Sequence, residues 1–369
     1  AGVPSPVPSP PAPAAVGGGQ SGAAGRGPEY GLNLFLAGNA ATTARDLGLV
    51  TRLGFGWQKS LFQWRAIEGA GKGIYDWSDS DRVVAASRTA GVKVIARLDF
   101  QPRWARADRA SNGPPDEYQD YADFVRAFVE RYKAGSSRGT VHAVEIWNEP
   151  NLDREWGGAP IDAHQAANYT RLLKLAYEAA KRADPSVLVV TGGLSPTCTN
   201  DEHARPDDVY LQWLYDAGAA PYFDVLGAHG AGYDKPPTAS PDDSAAKHNG
   251  CRVFAFRRVE DLRAVMVRNG DSAKPVWLLE FGWTTDTVHP AYAWFAVSPQ
   301  QHAEYVVGAY QWARQHWSDW IGVMAVWNVP DPNWTRDREE YWWGIVNPDG
   351  SSRPALDLLL AARKDGRLP

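Results

Sequence analysis

Two acidic residues occupy positions where a carboxylate is hard to explain as ordinary filler. Glu149 follows an apolar, β-branched run within TVHAVEIWNEPNL at 140–152. Glu280 lies near the end of a second such run, VWLLEFGW at 276–283. An ionised carboxylate is costly to bury in an apolar strand. Pro150 ends the first run, because proline cannot continue a ladder, and this leaves Asn148 and Glu149 at a strand's C-terminal tip. Two strands that each end in a glutamate imply two acids facing each other across a cleft. Cleavage of a glycosidic bond requires such a pair, with opposed proton affinities.

On that reading Glu149 is the general acid/base. Protonating a leaving oxygen near neutral pH requires a raised pKa, which a neighbouring ionised carboxylate would supply. Glu280 is the nucleophile, held ionised to attack the anomeric carbon. Two further charges, Lys59 and Arg97, lie inside apolar strands and need partners. Arg97 on the third strand is expected to pair with Glu145 on the fourth.

The elements that must position these groups alternate regularly. β-Branched runs end near Leu36, Gln63, Phe100, Glu149, Thr191, His229, Glu280 and Trp327. Helical periodicity lies between them, as in Glu117 to Lys133 with Tyr121, Phe124, Val125, Phe128 and Val129 on one face. Eight strand–helix units predict an α/β chain closed as a (β/α)8 TIM barrel, whose chemistry sits at the C-terminal ends of the strands. An open doubly wound sheet is the alternative, but no GxGxxG follows the first strand and no P-loop is present. Residues 1–28, rich in Pro and then Gly, are expected to be a disordered linker, either a spacer from a surface anchor or a processing remnant. Residues 29–369 are expected to form the (β/α)8 catalytic domain.

WNEPN after a hydrophobic strand, followed much later by LLEFGW, resembles the retaining glycoside hydrolases of clan A, closest to family 39 and its relatives. The resemblance runs from about Tyr30 to the C-terminus. It implies that Asn148 hydrogen-bonds the sugar 2-hydroxyl, and that His229 or Tyr233 orients the nucleophile or the sugar. It also implies that Trp327, ending the eighth strand, is the platform under the sugar being cleaved. The residues by themselves leave simpler roles open, a turn cap for Asn148 and a structural imidazole for His229. Relatives often carry Arg where Lys59 stands, a further candidate for sugar contact. Trp104, Trp156 and Trp283 follow strands and either line outer subsites or roof the barrel. Family 39 xylosidases and iduronidases commonly carry an added β-sandwich, for which little length remains. The resemblance therefore leans toward relatives that cut surface polysaccharides.

Composition narrows the partners. The 369 residues carry a formal net charge of −5 and no basic run, which argues against nucleic acid. No apolar run approaches a membrane span. Seventeen tryptophans exceed what a core needs and suit sugar stacking. Scattered histidines without HExxH give no metal site, and the absence of GxSxG removes a serine triad. Cys198 and Cys251 fall in the loops after the fifth and sixth strands. They would staple two active-site loops as a disulfide, the favoured reading, with two free thiols as the alternative. The expectation is a secreted or cell-surface/periplasmic monomer without cofactor that acts on carbohydrate by double displacement. Its long loops and many aromatics favour endo-action. A non-catalytic glycan-binding barrel and a transglycosylase using the same residues are the alternatives.

Overall fold

The computed structural model describes residues 27–108 and 112–368, so nearly all of the expected linker at 1–28 lies outside the described residues. The strands are β1 (Glu29–Leu34), β2 (Trp57–Leu61), β3 (Lys93–Leu98), β4 (Ala143–Ile146), β5 (Leu188–Thr191), β6 (Leu226–Ala231), β7 (Val276–Gly282) and β8 (Ile321–Val329). They run in the order β5-β4-β3-β2-β1-β8-β7-β6, all parallel. Parallel bridges Val190–Val225 and Leu194–Ala228 close β5 onto β6. The expected (β/α)8 barrel is therefore formed.

Helices wrap the barrel because their apolar stripes have only the outer faces of the strands to cover. Tyr118–Arg131 buries Tyr121, Phe124, Val125, Phe128 and Val129. The long helix Ala163–Ala183 starts where the Asp162 side chain accepts from the Gln165 N–H, and it stops just before Pro185. None of the helices described is long and apolar enough to cross a membrane.

Inside the barrel a separate apolar cluster comprises Trp57, Ile95, Ala143, Val190, Val225, Trp277, Leu279 and Val323. Side chains on a strand return to the same face every second residue. Two residues beyond Trp57, Ile95 and Ala143 stand Lys59, Arg97 and Glu145. The interior is thus an apolar plug overlaid by charge toward the strands' C-terminal ends.

β7 departs from this alternation. Ala228 and His229 of β6 pair with Leu278 and Glu280, one step against two. On the other side, Leu278 and Phe281 pair with Met324 and Val326, three steps against two. One extra residue is bulged into the strand. A bulge re-aims the side chains that follow it. Here Leu279 joins the interior cluster while Glu280, its immediate neighbour, also faces the barrel axis and meets Lys59.

The loops after β5 and β6 are tied together twice. Cys198 and Cys251 form a disulfide with Cα atoms 5.9 Å apart. Buried Arg258 lies 2.6 Å from Asp207, Asp208 and Asp261. The stretch 230–250 contains the short helix Pro241–Lys247, started by a reciprocal cap between Ser240 and Asp243. Burial pushes the Asp207 carboxyl up to about 6 even with Arg258 opposing it. Removing one member of a buried pair strands the other. Arg258→Met is therefore expected to lower the unfolding free energy by about 3–5 kcal/mol. Urea denaturation checks this, and an unchanged midpoint would refute it.

Candidate active site

The floor of the site is a buried ammonium. Lys59, 3% exposed, places Nζ 2.9 Å from Glu280 Oε1 and 3.1 Å from Glu145 Oε2. The other oxygen of Glu145 accepts the Gly193 N–H at 3.1 Å. The expected Arg97–Glu145 pair is not formed. The two residues are opposite one another in the β3–β4 register, but Glu145 turns to Lys59. Arg97 reaches along its own chain to Asp99, with Nε and Nη2 donating to Oδ2 at 2.9 and 2.7 Å. Its Nη1 lies 3.9 Å from Glu280. Strand register fixes which backbones are adjacent and leaves a long guanidinium free to choose the nearer acid.

Glu149 is brought over this floor by a strained turn. β4 ends at Ile146, three residues earlier than the sequence suggests, and Trp147 (φ 71) and Glu149 (φ 38) both adopt left-handed backbone. Such conformations cost about 1–3 kcal/mol each and persist only when their surroundings enforce them. The enforcement is visible. Trp147 is fully buried, donates its indole N–H to the Glu155 carbonyl at 2.7 Å and packs edge-on against Tyr121 and Trp156.

His229, at the end of β6, connects the two acids. Its Nδ1 is 3.0 Å from Glu149 Oε1 and its Nε2 is 3.7 Å from Glu280 Oε1. An ionised carboxylate only accepts, so Nδ1 carries the hydrogen. A Cβ at position 193 would lie 2.2 Å from His229 Nε2, so the backbone beneath the imidazole has to be glycine.

The electrostatics differ in one respect from the sequence expectation. For Glu280, burial pushes the carboxyl up, but His229, Lys59 and Arg97 outweigh burial and Glu149 and hold it below its ordinary 4.5. The Glu280 carboxyl is thus favoured in its ionised form. Glu149 was expected to be raised. Burial does push it up, yet the His229 hydrogen bond and the Arg154 guanidinium, with Nη2 2.9 Å from Oε2, hold it well below the usual carboxylate range. Beside it, Glu155 is pushed up to about 7 by burial, with Arg97 opposing. Its Oε2 accepts from Asn112 Nδ2 at 2.7 Å.

The other expected residues divide. Asn148 is 4% exposed and its Oδ1 has no hydrogen-bond partner in the protein. Trp327 is partly exposed at the tip of β8, edge-on to Phe35, and its peptide bond to Asn328 is cis. Tyr233 is partly exposed among Phe254, Trp294 and Phe295. Trp156 and Trp283 are not cleft surfaces. Trp156 is buried between Trp147 and Tyr169, and Trp283 is buried against Phe256 and Tyr305 with its N–H donated to the Lys235 carbonyl. Trp104 packs edge-on to Trp64, donates to the Glu68 carbonyl and stays partly exposed. Lys59 is a buried counter-ion of Glu280, not an exposed sugar contact.

Three residues at the mouth were missed. Arg154 and Glu155 follow Glu149 within one loop, and that proximity was the available signal. Trp294, 51% exposed beside Tyr233, gave none beyond its residue type. Among the described residues no group of three or more His, Cys, Asp or Glu is placed to hold a metal ion.

No family model matches the sequence. A curated beta-xylosidase of Geobacillus stearothermophilus is 27% identical over 152 residues, 37% of this chain and 29% of that protein, so the match spans under a third of the relative. Among solved structures, a family 39 glycoside hydrolase from Bacteroides cellulosilyticus WH2 superimposes with a TM-score of 0.66 at 19% identity. That match covers 91% of this chain and 63% of the other. A GH39 beta-xylosidase from Caulobacter crescentus gives 0.64 at 20% identity, covering 92% and 71%. GH5_18 from Streptomyces cattleya, in complex with GlcNAc, gives 0.65 at 17%, covering 93% and 81%. At these identities the likeness is one of fold, and the barrel described above is the one built by these glycoside hydrolases.

Proposed function

We propose that this chain is a retaining β-glycoside hydrolase, acting on an oligo- or polysaccharide without a cofactor. The observation that carries the reading is the pair of strand-tip carboxylates joined by one imidazole, with only Glu280 backed by a buried ammonium. That asymmetry supports different roles for chemically identical groups. Glu280 attacks the anomeric carbon as the bond to the leaving oxygen breaks, and Glu149 gives that oxygen its proton. Water then loses a proton to Glu149 and attacks the same carbon, freeing Glu280. The unsatisfied amide oxygen of Asn148 suits a sugar hydroxyl, whose O–H it would accept. Trp327, Tyr233 and Trp294 offer partly exposed aromatic faces for stacking. Loops tied together by a disulfide support an extended groove and endo-action, and an oxidising location outside the cytoplasm.

The test is product release from bacterial and plant polysaccharides and aryl β-glycosides, with an aryl β-xyloside included because of the beta-xylosidase relative. Glu280→Ala is expected to fold and to lose all measurable turnover. Glu149→Gln is expected to lose about 10²–10⁴-fold. Proton NMR of the first-formed sugar is expected to show the β-anomer. An α-anomer would refute retention, and binding without turnover on every member would favour a glycan-binding protein.

The acid limb of the pH profile tests the floor. Glu280 must be ionised, and its pKa is lowered in the folded protein. Glu280 therefore stays ionised below pH 4.5 and loses its charge only as pH falls through the lowered value. Lys59→Met removes one of the cations responsible and leaves Glu145 buried without its counter-ion. The acid limb is expected to move upward, with a stability loss of about 3–5 kcal/mol. Lys59→Arg is expected to retain the low limb. Equal limbs in Lys59→Met and wild type would show that Lys59 does not hold the nucleophile ionised.

A further inference from the structure

We propose that Arg154 is a two-position counter-ion, which exchanges Glu149 for Glu155 when the leaving-group sugar enters and so frees the acid to take up a proton. The proposal rests on the hydrolase reading of the cleft. It begins with which oxygen of Glu149 is available. Oε1 is taken by His229 Nδ1 at 3.0 Å, and Oε2 is taken by Arg154 Nη2 at 2.9 Å. A general acid must come within hydrogen-bond reach of the oxygen it protonates. His229 is buried and fixed over Gly193, whereas the Arg154 side chain is 68% exposed. With His229 buried behind the acid, the guanidinium stands on its exposed side, where a leaving oxygen approaches.

The displaced cation has a second acceptor already in place. Arg154 Nε lies 3.8 Å from Glu155 Oε1, on the adjacent residue. The Glu155 carboxylate is mostly buried, and Asn112 holds its other oxygen. Burial pushes it up to about 7, so a closer cation would stabilise its ionised form. The backbone that carries both residues is pinned. Asp153 N–H donates to the His203 carbonyl at 2.9 Å, the Asp153 carboxylate meets His203 Nδ1 at 2.7 Å, and the Glu155 carbonyl accepts the Trp147 indole. Only the Arg154 side chain is left to move. It keeps its own proton throughout, and the proton that appears on Glu149 comes from solvent.

The other charged and titratable groups around the exchange are His229 on β6, Glu280 on β7, Tyr233 in the loop after β6 and Tyr292 facing Arg154, with Arg97 on β3 and Asp99 just after it facing Glu155. With Arg154 on Glu149 the acid is ionised in the resting enzyme. With Arg154 on Glu155 one of the two groups that hold it down is gone.

The pH dependence of kcat/KM reports the free enzyme and that of kcat reports the substrate complex. The working form has Glu149 protonated and Glu280 ionised, so each profile carries one limb set by Glu149 in that state, identified by the carboxyl titration below. Arg154→Met is expected to raise the Glu149 limb of kcat/KM by about one pH unit or more while leaving that of kcat in place. Glu155→Gln removes the second acceptor, so Arg154 stays beside Glu149 in the complex and the Glu149 limb of kcat moves down. The double variant restores it. Equal shifts of both limbs in Arg154→Met, no shift in either, or an unmoved kcat limb in Glu155→Gln would each overturn the exchange. A carbon-13 NMR titration of the Glu149 carboxyl in the resting protein needs no turnover. It is expected to rise in Arg154→Met, and no change there would overturn the hold of Arg154 on Glu149 alone. A wild type that cleaves no glycoside would instead overturn the hydrolase reading, and the exchange with it.

Discussion

The ammonium of Lys59, buried between Glu145 and Glu280, governs the arrangement of the site. A charge at that depth is tolerable only if it is paired, and each of its partners carries a structural consequence. Glu145 uses its remaining oxygen to hold the Gly193 N–H, and the Gly193 carbonyl in turn accepts the N–H of Glu149 at 3.1 Å. The floor cation thereby fixes the backbone that presents Glu149 as well as the charge of Glu280. Glu280 reaches it only because of the bulge in β7, which turns two consecutive residues, Leu279 and Glu280, toward the axis. Without that extra residue, strict alternation would send one of them into the helix layer.

Around this fixed core, rigidity falls off in steps. Glu280 and Glu145 lie on strands, where the ladder sets their positions. Glu149 lies on a turn whose left-handed backbone is imposed by a buried tryptophan. His229 is at the end of β6 but is confined by the missing Cβ of Gly193. Arg154, with a mostly exposed side chain, is held by its ion pairs with Glu149 and Glu155. The groups placed to react are those the fold holds best, and the group placed to yield to substrate is the one it holds least. This is the arrangement expected where catalysis depends on electrostatic preorganisation and admission of substrate depends on a movable side chain.

Much of this could be read in the chain itself. The barrel was legible because eight β-branched runs alternate with helical periodicity, and Glu149 and Glu280 stood out as charges in apolar strands. Three kinds of feature were not legible. The β7 bulge leaves no compositional mark, since VWLLEFG reads the same in either register. The partner of Arg97 depends on a rotamer, and strand pairing alone pointed to Glu145 when the shorter path led to Asp99. Tryptophans just beyond strands look alike whether they cover the mouth or turn back between helices. Trp156 and Trp283 turn back, and Trp327 remains partly exposed at its strand tip.

The lowered Glu149 pKa marks a conflict inside the site. A retaining mechanism asks one carboxyl to be an acid in the first step and a base in the second. The resting electrostatics, with His229 and Arg154 both on Glu149, suit the base. A permanent like-charge neighbour, as the sequence suggested, would suit only the acid, and a permanent arginine suits only the second step. A site that performs both has to change its charges between steps without moving its backbone. An exposed guanidinium between two carboxylates of different proton affinity is the simplest device that can do this, because the motion is one side chain wide and the charge it leaves behind is the one the first step requires.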